Sequence, residues 1–398
     1  MNTVNKKLFA AAVVAAGFSP VGFAVESIGE ALKEGDVNIN FRLRFEEVDV
    51  DGNDDMDLTS LRTRLTYKTA DVKGASALVE MDDVTHLSDF EGGVADPEGT
   101  EVNQAYLAYT VAGTTIKYGR QRILLDNQRF VGGVGFRQNE QTYDAVSVTN
   151  KSIADTTLFV ANVNNVNRIF GEDVASGDHE NDTWLLNAQY AGLNAGTLTA
   201  YAYLIDNQDA VSFSSDTYGV RFVGKTMNDD LNYTLEYATQ ADAADNPSDY
   251  DADYYLLTGS YKMASVTLEG GYEVLGADGS DGQFITPLAT LHKFQGWNDK
   301  FLGGGTGNVP GGIQDLYVSA ATHFNGVKLS LVYHQLSSDD SDVNNIDNYG
   351  SEYGFLIAKK LGPVGLSLKY CDFNADSDAA AAGFTDSSKI WLTAQASF

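Results

Sequence analysis

The sequence predicts an all-β transmembrane antiparallel barrel of about 18 strands, with about 16 as the alternative if one segment has been split in two. Three observations predict it. Apolar and polar residues alternate with period two along most of the chain, the connections alternate between short turns and long acidic loops, and the chain opens on an apolar leader and closes on an aromatic residue.

The leader comes first. Lys6 and Lys7 precede LFAAAVVAAGF, and the small residues Gly22 and Ala24 precede Val25. That is the charged, apolar, small-residue order of a secretory signal peptide, so residues 1–24 are expected to be cleaved after Ala24, leaving 25–398 as one barrel domain. Those 24 residues hold two lysines and no acid, so removing them takes the net charge from -29 to about -31. After residue 24 no run approaches the roughly 18 apolar residues of a membrane helix.

The strands follow. Val37, Ile39, Phe41, Leu43 and Phe45 alternate with Asn38, Asn40, Arg42, Arg44 and Glu46, and Leu61, Thr63, Leu65 and Tyr67 alternate with Arg62, Arg64, Thr66 and Lys68. The same rhythm marks strands near 74–84, 102–111, 115–123, 142–150, 156–164, 182–191, 197–206, 216–225, 231–240, 253–262, 265–275, 313–323, 326–336, 350–360, 364–373 and 388–398. Each is near the roughly 9 to 11 residues that a tilted strand needs to cross a bilayer. Tyr 21, Phe 20, Gly 39 and Pro 6 make a strand-and-turn composition, with aromatics such as Tyr109, Trp184, Tyr190, Tyr237, Tyr272 and Trp391 expected at the membrane interfaces.

The connections give the orientation. AGT at 112–114, LNAG at 193–196, NG at 325–326 and LGP at 361–363 are short, whereas DVDGNDDMD at 49–57, ADAADNPSDYDAD at 241–253 and SDDSDVNNID at 338–347 are long and acidic. A transmembrane barrel has this asymmetry, with tight periplasmic turns and long external loops. In KIWLTAQASF the terminal Phe398 shares a face with Ile390, Leu392, Ala394 and Ala396. This resembles the C-terminal signature strand of bacterial outer-membrane barrels and implies the barrel-assembly machinery, outer-membrane lipid and lipopolysaccharide as partners.

Charge narrows the function. The acidic balance argues against nucleic acid, which needs clustered Lys and Arg. One cysteine and five histidines give neither a disulfide framework nor zinc spacing, so no metal or cofactor is expected. Asp49, Asp51, Asp54, Asp55 and Asp57 lack the order of a calcium loop. An enzyme would need a nucleophile, His and acid set, and His334 has no nucleophile motif beside it. Strict alternation instead turns Arg42, Arg44, Arg62, Arg64 and Lys68 into the lumen of adjacent strands. Opposing acids are expected at Glu80, Asp82, Asp144, Glu236, Glu269, Asp315 and Glu352.

One stretch departs from the loop pattern. GRQRILLDNQRFVGGVGFRQNEQTYDAV at 119–146 is glycine-rich, half apolar and carries four arginines. Its apolar residues want burial, so it is expected to fold back into the barrel with Arg129 and Arg137 toward the pore centre. Lys117 faces the lumen, and strict alternation leaves Arg120 and Arg122 outside unless a bulge at Gly119 turns both inward. FITPLATLHKFQGWNDKFL at 284–302 is a second such segment, with His292, Lys293 and Trp297 as residues that could meet a sugar.

Together these two blocks resemble the alginate-export-like outer-membrane proteins, eighteen-stranded porins similar in architecture to the substrate-specific channels of pseudomonads. The resemblance implies a channel with an arginine-rich lumen for small hydrophilic, anionic solutes, and marks Arg120, Arg122, Asp126, Arg129, Arg137, Gln138, Asn139 and Glu140 as pore-lining. Export of an anionic polysaccharide through the same barrel is the alternative.

Overall fold

The structure, a computed structural model, describes residues 26–89, 94–228 and 230–398, and the expected leader at 1–24 lies outside them. The chain forms β1 (Asp36–Val50), β2 (Met56–Lys68), β3 (Ala75–His86), β4 (Gly99–Val111), β5 (Thr114–Gln121), β6 (Thr142–Asn150), β7 (Thr156–Asn167), β8 (Asp178–Leu193) and β9 (Gly196–Ile205). It continues through β10 (Ser215–Thr226), β11 (Leu231–Asp242), β12 (Asp251–Met263), β13 (Val266–Leu275), a short hairpin of β14 (Ala277–Asp278) and β15 (Gly282–Gln283), then β16 (Ile313–Phe324). The last strands are β17 (Val327–Ser337), β18 (Asn348–Leu361), β19 (Val364–Ala375) and β20 (Ser387–Ser397).

All strands but the β14–β15 hairpin belong to one 18-stranded antiparallel sheet in which each pairs with its sequence neighbours. The sheet closes where β1 meets β20, from Asn40 opposite Ser397 to Val50 opposite Ser387. The strand count is therefore eighteen, not sixteen. Closure pairs every strand edge, the condition for putting a sheet in lipid.

The period-two pattern sorts the faces. On β1, Val37, Ile39, Phe41 and Leu43 are exposed outward while Asn40, Arg42, Arg44 and Glu46 are buried inside. Tyr109, Trp184, Tyr190, Tyr237 and Tyr272 lie on the outer surface. Trp391 does not, and corrects the interface assignment: it is 1% exposed because its neighbours Ile390 and Leu392 take the outward parity of β20. Phe398 stays outside, edge-on to Phe41 with ring centroids 6.5 Å apart.

The interior is divided by height. A cluster including Phe130, Tyr143, Leu185, Tyr201, Tyr203, Tyr254, Phe284 and Leu288 fills the upper lumen beside β6 to β13. Toward the short turns, inward positions such as Thr258, Ser260, Ser319, Ser330, Ser367 and Thr393 are small, polar and half-exposed, which suits a water-filled vestibule.

Candidate pore constriction

The stretch after β5 folds inward because its apolar residues find the inner wall. Ile123, Phe130 and Val131 are buried, and the Phe130 ring lies 5.1 to 6.1 Å from those of Tyr201, Tyr203, Tyr254 and Phe284. Each such side chain contributes about 1.5 to 3 kcal/mol by leaving water.

The second inward loop, 276–312, supports the first. Val131 and Leu288 form a parallel bridge, the Gly132 amide donates to the Leu288 carbonyl at 2.8 Å and the Thr290 amide to that of Gln128 at 3.0 Å. A Cβ on Gly132 would stand 2.3 Å from Thr290 Oγ1, so only glycine permits this approach. The Phe136 ring then stacks on His292 at 3.7 Å.

From this seat the loop crosses to the opposite wall, where β1 and β2 present their arginines. Arg42 donates to the carbonyls of Gly135, Phe136 and Arg137 at 2.9 to 3.3 Å. Arg62 donates to the Gln138 carbonyl and to Asn40 Oδ1. The Gln138 amide group in turn donates to the Arg42 carbonyl and to Ser60, while Arg44 lies over the Phe136 ring at 4.3 Å.

Glu140 is the hub of this contact. Its carboxylate accepts from Arg64 at 2.8 Å and from Arg122 at 2.6 Å, and Arg64 also grips Asp82 through two hydrogen bonds of 2.6 and 2.5 Å. Arg122 reaches Glu80 at 2.9 Å. Burial alone would raise the Glu140 carboxyl, but Arg64, Arg122 and Arg62 overturn that and hold it well below the usual carboxylate range. Beside this group Lys117 lies over the Tyr106 ring at 4.7 Å. The five cations Arg42, Arg62, Arg64, Lys117 and Arg122 face the three acids Glu80, Asp82 and Glu140, an excess of two positive charges.

The remaining arginines of the stretch are placed differently from expectation. Arg129 does not project toward the pore centre. It is completely buried, donating to Glu273 at 2.9 Å and Thr286 at 3.2 Å, with its guanidinium 4.8 Å from the Phe294 ring. Arg137 is likewise sealed, against Glu46 at 2.9 Å and Asp299 at 3.4 Å. Burial sets these two as bolts that hold the loop.

Arg120 and Arg122 part company. No bulge forms at Gly119, whose register runs unbroken opposite Tyr106 and Ala145, although its φ of +121° uses glycine's freedom. Arg120 therefore keeps the outward parity of Ile116 and Tyr118 and binds Asp144 and Glu172 at 2.9 and 2.6 Å. Asp144 shares that outer face, which corrects its expected place in the lumen. Arg122 turns inward because β5 has already ended at Gln121. On the strands next to β5 and β6 the extra residues are instead Asn103 on β4 and Asn164 on β7.

Asp126 is exposed on the inner side, accepting from Asn187 at 2.7 Å and Gln189 at 3.1 Å. Asn139 donates to the Ile169 carbonyl at 3.4 Å. His292 is buried rather than open to solute: Asp299 holds its Nδ1 at 2.9 Å and Lys369 lies 2.6 Å from its Nε2, and burial pushes the imidazole down to about 3.

Sequence reasoning missed Asp96, Glu273 and Asp299. Asp96 accepts from the Gln138 amide at 2.7 Å and faces Arg44 and Arg137 at 3.7 and 4.0 Å. Burial pushes its carboxyl up, an effect offset in part by those arginines. An acid within DPEG at 96–99, where the connection between β3 and β4 ends, carries no period that would have marked it.

A closed eighteen-stranded barrel with an apolar outer band and two loops folded into a charged lumen defines an outer-membrane channel. Its family follows from sequence. The chain belongs to the alginate export family, whose match spans residues 35–274, more than half of its length. Among solved structures it is similar to Acinetobacter baumannii OccAB4, at 15% identity and a TM-score of 0.73 over 92% of this chain and 98% of that one. It is also similar to Pseudomonas aeruginosa OpdK solved with vanillate, at 12% identity and a TM-score of 0.72 over 92% and 99%. Pseudomonas aeruginosa OccK11 (OpdR) matches at 12% identity and 0.71 over 95% and 99%. These likenesses share the fold, and a search of curated proteins found no match.

Proposed function

We propose that this channel passes small hydrophilic anions, sugar acids and other carboxylates among them, by diffusion across the outer membrane. The observation that carries the reading is the excess of cations where the 122–141 loop meets the β1 to β5 wall. Arg122 keeps 27% of its side chain accessible there and Lys117 is half-buried next to it. Fixed cations at a narrow point favour anions by Coulomb attraction and disfavour cations by the same amount. The vanillate of the OpdK structure is a small carboxylate, which is consistent with this chemistry.

Reconstitution in a planar bilayer tests it. The wild-type channel is expected to prefer chloride to potassium. A double substitution, Lys117→Ala with Arg122→Ala, should lower that preference by at least roughly 30-fold, since each of the two unit charges removed, about 8 Å from the ion at an effective dielectric of about 40, is worth about 1 kcal/mol. An unchanged permeability ratio would sink the reading.

Export of an anionic polysaccharide is the second reading, supported by the family description. Loops of aspartates at the external end oppose it, because they would repel an emerging polyanion. Side-dependent block by oligouronates separates the two: an exporter is blocked from the periplasmic side, an uptake channel from the external side.

A further inference from the structure

Among the described residues Arg168 has no carboxylate partner, in a chain of net charge -29. It follows β7 and sits where three connections converge. Its guanidinium lies 5.3 Å over the Phe213 ring of the β9–β10 connection. Its Nη2 comes within 2.9 Å of where a Cβ on Gly305, in the 276–312 loop, would stand. The adjoining Ile169 carbonyl accepts from Asn139 of the 122–141 loop. The imidazole of His179 flanks the same Phe213 ring, with centroids 5.9 Å apart.

Among the described residues no carboxylate pairs with this guanidinium, and burial lowers its affinity for the proton with only the Tyr143 hydroxyl acting against that. Every other arginine named at the constriction meets a carboxylate or a carbonyl. A half-buried charge left uncompensated is costly, and the cost falls when an anion arrives. The planar fork of arginine suits a carboxylate, which it can bind through two parallel hydrogen bonds.

We propose that Arg168 is an external docking site for the carboxylate of a small solute, occupied before the solute reaches Arg122 and Lys117. Phe213 and Gly305 hold the guanidinium plane, one by covering its face and the other by leaving room at its edge. The inference rests on the channel reading for its purpose, although the binding it describes does not require conduction.

The test adds benzoate, with the neutral isostere benzamide as control, to the external side of the full-length channel in a planar bilayer. Wild type should show current interruptions with benzoate and none with benzamide. Arg168→Gln should weaken the benzoate effect roughly tenfold, the value of a charge-assisted hydrogen bond, while Arg168→Lys retains part of it. Heat-shifted gel mobility verifies that each variant is a folded barrel. Equal benzoate block in wild type and a folded Arg168→Gln overturns the proposal. Should that variant not fold, wild-type block that fails to distinguish benzoate from benzamide, or external from periplasmic addition, overturns it as well. Calorimetric titration of benzoate into detergent-solubilised protein separates the two readings. Binding lost in Arg168→Gln while wild type shows no anion preference keeps the docking site and removes the channel selectivity; anion preference with Arg168-independent binding does the reverse.

Discussion

The two halves of the inward loop use the same residue type for opposite ends. At Arg129 the guanidinium is completely enclosed, with Glu273 and Thr286 as partners and Phe130 packed beside it in the apolar cluster. At Arg122, seven residues earlier, the guanidinium holds Glu80 and Glu140 yet remains accessible from the lumen. The difference lies in what surrounds the ion pair. An arginine shut away from water fixes the loop, and one left at the surface of its pair also sets the field that a solute crosses.

The largest effect should come from breaking the enclosed half. Arg129→Ala leaves Glu273 buried without its partner, a loss of about 3 to 5 kcal/mol. The melting temperature should fall, and the conductance should rise and grow noisy as the loop detaches. Arg122→Ala should leave the melting temperature close to wild type, so equal destabilisation by the two substitutions would erase the comparison.

A smaller effect is expected at Glu140, which joins the loop to the β2 and β3 wall. Glu140→Gln removes one negative charge from the constriction, and chloride preference should rise about fivefold by the same Coulomb arithmetic. The pH dependence has a definite sign. A carboxyl held below its ordinary value contributes stability that is present above the unfolded value near 4.5 and lost as pH falls through the lowered folded value. Ion selectivity should therefore stay constant from pH 7 down to about pH 5. A drift of selectivity across that window in wild type, absent in Glu140→Gln, would mean that the arginines do not hold this carboxylate ionised.

Much of this division was legible in the chain. Alternation located eighteen strands and the lumen parity of Arg42, Arg44, Arg62 and Arg64, because lipid and water on the two faces of one sheet impose a period of two. The inward fold of 122–141 was legible from Ile123, Phe130 and Val131, which no external loop could bury. The partners were not legible. Glu46, Glu273 and Asp299 lie 91, 144 and 162 residues from the arginines they hold, and the path of a loop across a lumen, not any local pattern, brings them together. Trp391 shows the other kind of miss: its aromatic ring points to an interface, whereas the outward parity of Ile390 and Leu392 turns it into the lumen.

The smallest effect belongs to Arg120, two residues before Arg122 and on the other side of the wall. Arg120→Ala breaks its pairs with Asp144 and Glu172 at the outer face near the external rim, where partly exposed ion pairs are worth about 1 kcal/mol or less. Ion selectivity should not change, because the barrel wall separates this charge from the pore and the neighbouring acids already neutralise it. The same bilayer measurement that reads Arg122→Ala decides the matter. A selectivity shift in Arg120→Ala matching that of Arg122→Ala would require both guanidinium groups in the lumen and hence a bulge at Gly119, whereas a flat response leaves β5 in the strict alternation its register shows.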